Sequence, residues 1–328
     1  MALSEFELIN RYFRRPGLAA DPEVHPCVVL GPGDDCALLE LPAGQQLALS
    51  LDVLVAGVHF PEDADPHLLA GRALAVNLSD LAAMGATPLG FTLGLTLPRI
   101  DETWLQGFSD GLLDAAARYC CPLLGGDTTR GPLQIAIQVQ GRLAAGTALR
   151  RDGAKAGDDV YVSGQLGRAG LALSVLQNKL PAASAMQRDE LLVAYYRPEP
   201  RLPLGVALRG LATSAQDVSD GVLADLGHIA RASGVAMQLH AEQVPVAATL
   251  SALCAPAQAL QLALTAGDDY ELVFTASPAQ RTAIADAAAT TGTAVARIGR
   301  VTAGTGIEVV AADGSVILFP SAGYLHFS

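Results

Sequence analysis

Apolar residues alternate with small or polar residues in two segments of the chain, and this two-residue period predicts β-strands. In the first segment, Leu47 to Val55, the leucines lie on one face, and Ser50 and Asp52 lie on the other. The second segment, Gln134 to Gly141, directs three branched side chains inward, and these are Ile135, Ile137 and Val139. Both segments are therefore expected to be strands of the N-terminal half.

A helical pattern covers residues 66–85, which are apolar over most of their length. Pro66 stands in the first turn and Gly85 at the end, so the segment predicts a long buried helix. Asp80 lies near the C-terminal end of this helix, where the helix dipole disfavours a carboxylate. Its neighbours are apolar, and burial of a carboxylate there is costly without a partner. Asp80 is therefore the strongest single candidate for a functional role.

Three further segments complete the N-terminal half. Ser4 to Glu7 has the S-x-x-E spacing of a capping box, which predicts the start of a first helix. Trp104 to Tyr119 has the period of an amphipathic helix. The segment LLGGDTT, from Leu123 to Thr129, predicts a strand end that breaks into a glycine turn.

Strands and helices also alternate in the second half, which predicts an α/β or α+β fold of two domains. Val160 to Ser163 and Glu271 to Thr275 are predicted strands, and residues 168–178 are a predicted helix. The turn-rich and charged stretch 144–158 separates the halves. We place the domains at 1–145 and 146–328, each with its own sheet and helices.

The composition supports a large core. The chain has 328 residues, of which 51% are hydrophobic, and this length favours two domains over one. No apolar run reaches the roughly 18 residues of a membrane span. The N-terminal residues lack the basic-then-apolar order of a signal peptide. We therefore expect a cytoplasmic protein without a membrane partner.

The charge and the cysteines narrow the class of function. With 21 basic and 33 acidic residues the net charge is −12, which argues against a general nucleic-acid binder. An anionic substrate stays possible, because Mg²⁺ bridges carboxylates to phosphates. The cysteine count of 5 is odd and no CxxC spacing occurs, so neither a disulfide framework nor a zinc site is expected. All five thiols are predicted to be buried.

Acidic residues stand at the ends of predicted elements in both halves. Any one of them is explained by a turn or a cap, because Asp stabilises such turns locally. The pair Asp158-Asp159, read as an ordinary turn before a strand, shows that Gly-Asp-Asp alone carries little information. The full set indicates oxygen ligands for a hard cation, and soft ligands are missing. The set comprises Asp34, Asp35, Asp52, Asp80, Asp127, Asp217, Asp220, Asp268 and Asp269.

Six motifs in chain order carry a resemblance to a known family: GPGDDCALL, SLDVLVAGVHF, ALAVNLSDLAAMGATP, LLGGDTTRGPL, DVSDGVLADLGHIA and AGDDYEL. Together they closely resemble the thiamine-monophosphate kinase family, within the ATP-binding superfamily of aminoimidazole ribonucleotide synthetase and selenophosphate synthetase. The resemblance implies ATP-dependent phosphorylation of thiamine monophosphate to thiamine diphosphate. It also implies two α/β domains and a homodimer formed through the mixed N-terminal sheets.

The resemblance assigns roles to individual positions of this chain. It implies Mg²⁺ ligands at Asp35, Ser50, Leu51 (through its backbone carbonyl), Asp52, Asp80, Asp127, Asp217 and Asp220. Of these, the resemblance implies a catalytic role for Asp35, Asp52, Asp80, Asp127 and Asp217. It implies ATP contacts at Gly126, Asp127, Arg151 and Ser219. It implies thiamine monophosphate contacts at His59, Asp268 and Tyr324, where Asp268 stands in place of a frequent Glu.

Two other functions remain open at this point. One is a related ATP-dependent enzyme that resembles aminoimidazole ribonucleotide synthetase, and the other is a non-catalytic sensor of divalent ions or nucleotides. A P-loop motif and a kinase-type glycine loop are both missing. A phosphate nucleophile is already ionised near pH 7, so the absence of an evident general base agrees with phosphoryl transfer between two polyanions.

Overall fold

The chain folds into two compact units. This computed structural model describes residues 5–177 and 184–324. The first unit contains the described parts of Met1–Leu81 and Ala86–Gly146, and the second contains those of Ala82–Gly85 and Thr147–Ser328. Ser4, the predicted cap of the first helix, lies outside the described residues. The last residue of the helix predicted over 168–178 lies outside them as well.

The first unit combines helices with one larger sheet. Its helices are α1 (Glu5–Leu8), which continues as a π-helical turn over Ile9–Phe13, α2 (Pro66–Ala83) and α3 (Glu102–Tyr119). Its strands are β1 (Val28–Leu30), β2 (Leu38–Leu39), β3 (Gln45–Val55), β4 (Thr87–Leu97), β5 (Leu123–Arg130) and β6 (Gln134–Ala144). In the described part of this unit, four strands pair in the order β3-β6-β4-β5, and only β4 and β5 are parallel.

Strand β3 turns its polar face toward the unit, where Ser50 and Asp52 are partly buried, and exposes its apolar face. Ile135, Ile137 and Val139 of β6 are fully buried, and Asp52 stands opposite Ile137 in the ladder, on the same face. The other face of β3 carries four exposed apolar side chains, with exposed fractions given in parentheses: Leu47 (44%), Leu49 (56%), Leu51 (55%) and Val53 (39%). The predicted period is therefore present, and its polar side is the one directed into the unit.

The glycine pair of LLGGDTT does not form the predicted turn. Strand β5 extends from Leu123 to Arg130 and pairs in parallel with β4, with a shift of register between Leu123 and Gly125. The backbones approach so closely that a Cβ on Gly126 would lie 2.0 Å from the Leu93 carbonyl oxygen. The glycine is thus explained by strand-to-strand contact, and the predicted turn is wrong.

The second unit surrounds a larger mixed sheet with helices. Its strands are β7 (Asp159–Ser163), β8 (Ser214–Asp217), β9 (Ala236–His240), β10 (Leu272–Ala276), β11 (Val295–Thr302), β12 (Gly306–Val310) and β13 (Val316–Ile317). Its helices are α4 (Arg168–Leu176), α5 (Ala185–Tyr196), α6 (Leu202–Ala207), α7 (Val222–Ser233), α8 (Ala248–Leu253), α9 (Pro256–Thr265) and α10 (Arg281–Thr291).

The sheet of the second unit places β10 next to β8 and so sets two acidic turns side by side. Among the residues described, the strand order is β13-β12-β9-β11-β7-β10-β8, and β12 with β9 is the parallel pair. Val160, Leu226 and Ile298 belong to its core, and Tyr161 stacks on Phe274 at 5.0 Å between ring centroids. Helices and mixed sheets in both units confirm the predicted fold class. None of the described helices has the length and hydropathy of a membrane span.

The prediction that all five thiols are buried is wrong for two of them. Cys27 and Cys121 are buried and Cys254 is partly buried, whereas Cys36 and Cys120 are exposed. Cys36 stands in an exposed turn ahead of β2, because the apolar run CALL forms only a two-residue strand at the surface. Cys120 ends helix α3 in the left-handed conformation, with φ of 50°.

Helices α2 and α3 provide a matched pair of glycines for a stability test. A Cβ on Gly111 of α3 would lie 2.2 Å from the His67 carbonyl oxygen, whereas a Cβ on Gly71 of α2 would meet nothing within 4 Å. We expect Gly111→Ala to lower the free energy of unfolding by about 1–3 kcal/mol through overpacking. Gly71→Ala should raise it by up to about 1 kcal/mol through helix propensity. Urea denaturation checks both, and equal effects of the two variants would contradict the close helix contact.

Candidate active site

The carboxylate of Asp80 is held by a hydroxyl group of the neighbouring strand. Ser50 Oγ of β3 donates a hydrogen bond to Asp80 Oδ2 of α2 at 2.5 Å. Both residues are partly buried, and a carboxylate removed from water needs such a donor. Asp80, whose neighbours in the sequence are apolar, thus has a polar partner from another element. The structure brings together two of the predicted ligands, Ser50 and Asp80.

Asn77 fixes the next predicted ligand and was missed as a site residue. Its Oδ1 accepts a hydrogen bond from the Asp52 backbone N–H at 2.9 Å, and its Nδ2 donates to the Ala73 carbonyl at 2.9 Å. Asn77 is fully buried, so the first contact ties β3 to α2 away from water, and the second orients the carboxamide within α2. The signal in the sequence is a carboxamide inside the apolar run ALAVNLSDL, three residues before Asp80.

A second pair of predicted ligands lines a cavity of about 660 Å³ in the first unit. Asp35 and Asp127 both face it, together with Gly126 and Asp34. The Asp35 backbone N–H donates to Asp34 Oδ1 at 2.8 Å, so Asp34 closes the turn that presents Asp35. Both adjacent residues therefore line the cavity, and Asp34 in addition binds the backbone of the turn.

Two other predicted residues of the first unit have constrained side chains. Leu51 points its side chain away from Ser50 and Asp52, so only its backbone carbonyl can act as a ligand. His59 accepts a hydrogen bond at Nδ1 from the Val55 backbone N–H at 3.0 Å. A neutral His59 ring therefore carries its proton on Nε2, which is the nitrogen suited to donate to a bound anion.

In the second unit three segments meet and bring five predicted residues together. The Asp268 N–H donates to the Ser219 carbonyl at 2.9 Å, and the Tyr324 N–H donates to the Asp220 carbonyl at 3.1 Å. Close packing supports these contacts, because a Cβ on Gly267 would lie 2.1 Å from the Ser219 carbonyl oxygen. Asp217 ends strand β8 and is buried, with 4% exposure. Backbone contacts thus assemble the residues predicted for metal, nucleotide and substrate.

The turn that carries Asp268 is strained and is held by its neighbour. Asp268 and Tyr270 have positive φ values of 69° and 49°, which is uncommon for residues other than glycine. Asp269 lies between them, and its Oδ2 accepts a hydrogen bond of 2.7 Å from the Gly167 N–H, at the start of α4. Burial of this carboxyl raises the pKa of Asp269 to about 8.

The pair Asp158-Asp159 has a structural role, unlike the similar pair at 268–269. Arg281 donates two hydrogen bonds to Asp159, at 2.7 and 2.8 Å, and these bonds lower the pKa of the Asp159 carboxyl. Asp158 accepts from the Lys155 backbone N–H and from the Thr213 hydroxyl, at 3.0 and 2.7 Å. Both carboxylates are thus engaged with residues that have no predicted role in the site.

The adjacent residues Arg150 and Arg151 differ in the partners of their side chains. Arg150 forms two hydrogen bonds with Asp152, at 2.8 and 2.6 Å. Among the described residues, no carboxylate forms an ion pair with the Arg151 guanidinium. The Arg151 backbone carbonyl accepts a hydrogen bond from Ser233 Oγ at 2.8 Å. The predicted nucleotide contact is thus the arginine whose cation is available to a phosphate.

The predicted oxygen ligands suit Mg²⁺, although the described protein side chains alone do not form a complete metal site. Over residues 5–177 and 184–324, no group of three or more His, Cys, Asp or Glu could hold a metal ion. Mg²⁺ is usually bound through one or two carboxylates plus substrate phosphates and water. The pairs Ser50–Asp80 and Asp35–Asp127 supply oxygen ligands of this type. The residues therefore fit Mg²⁺ that binds together with a phosphate substrate.

Each unit of the chain matches a known protein family. Two family models match, the AIR synthase related protein N-terminal domain over residues 33–143 and its C-terminal domain over residues 155–312. The thiamine-monophosphate kinase of Escherichia coli strain K12 is 47% identical over 328 residues, which cover 100% of this chain and 99% of that protein. The chain belongs to the thiamine-monophosphate kinase family.

Solved structures of the thiamine-monophosphate kinase family share the fold. The thiamine-monophosphate kinase from Stenotrophomonas maltophilia K279a is 43% identical with a TM-score of 0.86, over 97% of this chain and 99% of that chain. A structure described as AaThiL complexed with AMPPCP and TMP is 29% identical with a TM-score of 0.77, over 90% of this chain and 91% of that chain. The family inferred from the six motifs is therefore confirmed.

The raised pKa of Asp269 predicts a pH dependence of stability. In the folded state this carboxyl holds its proton up to about pH 8, whereas in the unfolded chain it loses the proton near pH ~4. Its contribution to stability is therefore present below about pH 4 and is lost as the pH rises to about 8. Asp269→Asn keeps an acceptor and removes this titration.

We expect the free energy of unfolding of Asp269→Asn, relative to the unsubstituted chain, to increase between pH 5 and pH 8. The slope is at most about 1.4 kcal/mol per pH unit. Urea denaturation at several pH values measures it. Asp286→Asn, at an exposed position of α10, is the matched control and should show no slope. If the difference in unfolding free energy between Asp269→Asn and the unsubstituted chain does not change with pH, the raised pKa of Asp269 is contradicted.

Proposed function

We propose that this chain transfers the γ-phosphoryl group of ATP to thiamine monophosphate, giving thiamine diphosphate and ADP. The observation that carries the proposal is full-length identity of 47% with the Escherichia coli thiamine-monophosphate kinase. Two contacts support it. Ser50 binds Asp80, and Asp35 and Asp127 line one cavity. The family pattern assigns these four positions to metal. We place the reaction in the cytoplasm, where ATP is available.

The chemistry is a displacement at phosphorus. A terminal phosphate oxygen of thiamine monophosphate forms a new P–O bond to the γ-phosphorus, and the bond from that phosphorus to the β–γ bridging oxygen of ATP breaks. The attacking phosphate is largely ionised at neutral pH, since its second pKa is about 6. A strong general base is therefore not required, and positioning and charge neutralisation supply most of the rate.

We assign the binding of Mg²⁺ and ATP to residues from each unit. In the first unit Asp35, Ser50, Asp52, Asp80 and Asp127 would hold Mg²⁺, and in the second unit Asp217 and Asp220 would do so. Bound Mg²⁺ supplies the positive charge that allows two polyanions to approach. Without it, each carboxylate–phosphate pair at ~4 Å would cost roughly 4 kcal/mol at an effective dielectric constant of 20. Gly126, Arg151 and Ser219 would contact ATP.

Three residues are assigned to thiamine monophosphate, and these are His59, Asp268 and Tyr324. His59 has its proton on Nε2 in the neutral ring, which suits donation to the substrate phosphate. Asp268 offers an anion to the cationic thiamine, from a turn held by Asp269. Tyr324 is half exposed, with its backbone attached to Asp220.

The assembly we propose is a homodimer through the first unit. Strand β3 is an edge of its sheet, and four apolar side chains are exposed along it, from Leu47 to Val53. A long apolar edge strand left in water promotes association. A second copy of the chain would cover this face and remove it from water.

A direct assay tests the reaction. The protein is mixed with Mg²⁺, ATP and either thiamine monophosphate or free thiamine, and thiamine diphosphate and ADP are measured. We expect turnover with the monophosphate only, and no turnover with EDTA. Asp80→Asn keeps an acceptor for Ser50 Oγ and removes the charge, so it should fold and lose at least about 100-fold in rate.

Turnover with free thiamine but not with its phosphate would overturn the proposed acceptor. ATP binding without turnover on either acceptor would favour a sensor. Activity of Asp80→Asn equal to that of the unsubstituted chain would remove Asp80 from the metal site.

The dimer is tested at the exposed face of β3. Leu49→Glu places a charge on the 56% exposed Leu49 and should convert the dimer to a monomer, because a charge buried at the interface is costly. Leu318→Glu changes a side chain that is 87% exposed in the second unit and should leave the dimer intact. Sedimentation velocity measures both. A monomeric unsubstituted chain, or dissociation by Leu318→Glu alone, would contradict the β3 interface.

A further inference from the structure

Asp225 is a buried carboxylate that the phosphoryl-transfer scheme above does not use. It lies in the first turn of α7 and is 1% exposed. Its Oδ2 accepts three backbone hydrogen bonds, from the N–H groups of Ser219, Asp220 and Gly221, at 3.1, 3.1 and 3.2 Å. One oxygen atom thus gathers three consecutive N–H groups of the loop that joins β8 to α7.

The second carboxyl oxygen of Asp225 is fixed independently. Gln216 Nε2 donates to Asp225 Oδ1 at 2.7 Å, and Gln216 is itself buried, with 3% exposure, on strand β8. A carboxylate bound at both oxygens has a defined orientation. The loop N–H groups therefore meet an acceptor whose position is set by the sheet and by the helix.

The other edge of the same loop contacts the segments of the substrate residues. The Ser219 carbonyl accepts from the Asp268 N–H at 2.9 Å, and the Asp220 carbonyl accepts from the Tyr324 N–H at 3.1 Å. The loop backbone is thus bound on its N–H side by Asp225 and on its carbonyl side by these two segments. Loss of the first set of bonds would release the peptide units that carry Ser219 and Asp220.

We propose that Asp225 is a positioning residue, whose carboxyl oxygen fixes the backbone of Ser219–Gly221 so that Ser219 and Asp220 are ordered for Mg²⁺ and ATP. The proposal rests on the function proposed above. Asp225 acts through the loop and touches neither substrate nor metal. Residues that orient the ligands of a metal typically contribute about 10–100-fold to metal affinity or activity.

Two substitutions separate the position of the acceptor from its charge. Asp225→Asn keeps an oxygen for the three N–H groups, and its new NH₂ group can donate to Gln216 Oε1 after rotation of the Gln216 amide. That Oε1 is buried without a hydrogen-bond partner among the described residues. Asp225→Glu keeps the charge but moves the acceptor by one methylene. Asp286→Asn and Asp286→Glu, at an exposed position of α10, are the matched controls.

We expect Asp225→Glu to raise the Mg²⁺ concentration for half-maximal kinase activity and the KM for ATP by about 10-fold or more. Its KM for thiamine monophosphate should change less. Asp225→Asn should stay within about three-fold of the unsubstituted chain in all of these values. Circular dichroism confirms that each variant is folded at the assay temperature. Equal effects on the two KM values, or a larger loss in Asp225→Asn than in Asp225→Glu, would overturn the proposal.

Amide hydrogen exchange on the unsubstituted full chain gives a test that does not depend on the folding of a variant. The N–H groups of Ser219, Asp220 and Gly221 should be protected before Mg²⁺ and ATP are added, because Asp225 already binds them. Exchange at the rate of an unstructured peptide would overturn the proposal. An unsubstituted chain with these amides protected but without kinase activity would refute the proposed function and leave the backbone role of Asp225 standing.

Discussion

The site depends on one constraint, which is that carboxylates removed from water need hydrogen-bond donors. Ser50 Oγ supplies the donor for Asp80, and the Gly167 N–H supplies one for Asp269. Three loop N–H groups and a carboxamide satisfy Asp225. These donors fix the orientation of the three carboxyl groups, and two of the three, Asp269 and Asp225, fix the turn and the loop beside residues proposed to bind substrate and Mg²⁺.

The same constraint links the chemistry to the proposed assembly. Because Ser50 and Asp52 are directed toward α2, the leucines of β3 must point the other way, since side chains alternate along a strand. The unit therefore exposes an apolar face along its edge strand. One strand thus carries predicted metal ligands on one side and the proposed dimer surface on the other, and a shift of register by one residue would exchange them.

Much of the local structure could be predicted from the sequence. The strands around Leu47–Val55 and Gln134–Gly141 and the helix that begins at Pro66 are present, because their hydrophobic periods are long and regular. The prediction of a glycine turn at 125–126 was wrong because both glycines lie in strand β5, where Gly126 allows close contact with β4. The burial of Cys36 was wrong because a short apolar run does not specify what covers it. The partner of Asp80, Ser50, lies 30 residues away and left no local signal.

The sequence by itself determined the family, the mixed α/β class and the residue types proposed to bind Mg²⁺, because motifs and periodicity are local properties of the chain. Only the tertiary structure decided which acids line one cavity, which one is bound by arginine, and which carboxyl oxygen binds a loop. Asp158-Asp159 and Asp268-Asp269 follow the same Gly-Asp-Asp pattern, yet Arg281 binds Asp159 in the first pair, whereas in the second pair the Gly167 N–H binds Asp269 and the Asp268 N–H binds the Ser219 carbonyl. Their difference lies in contacts between residues distant in sequence, which a local pattern does not encode.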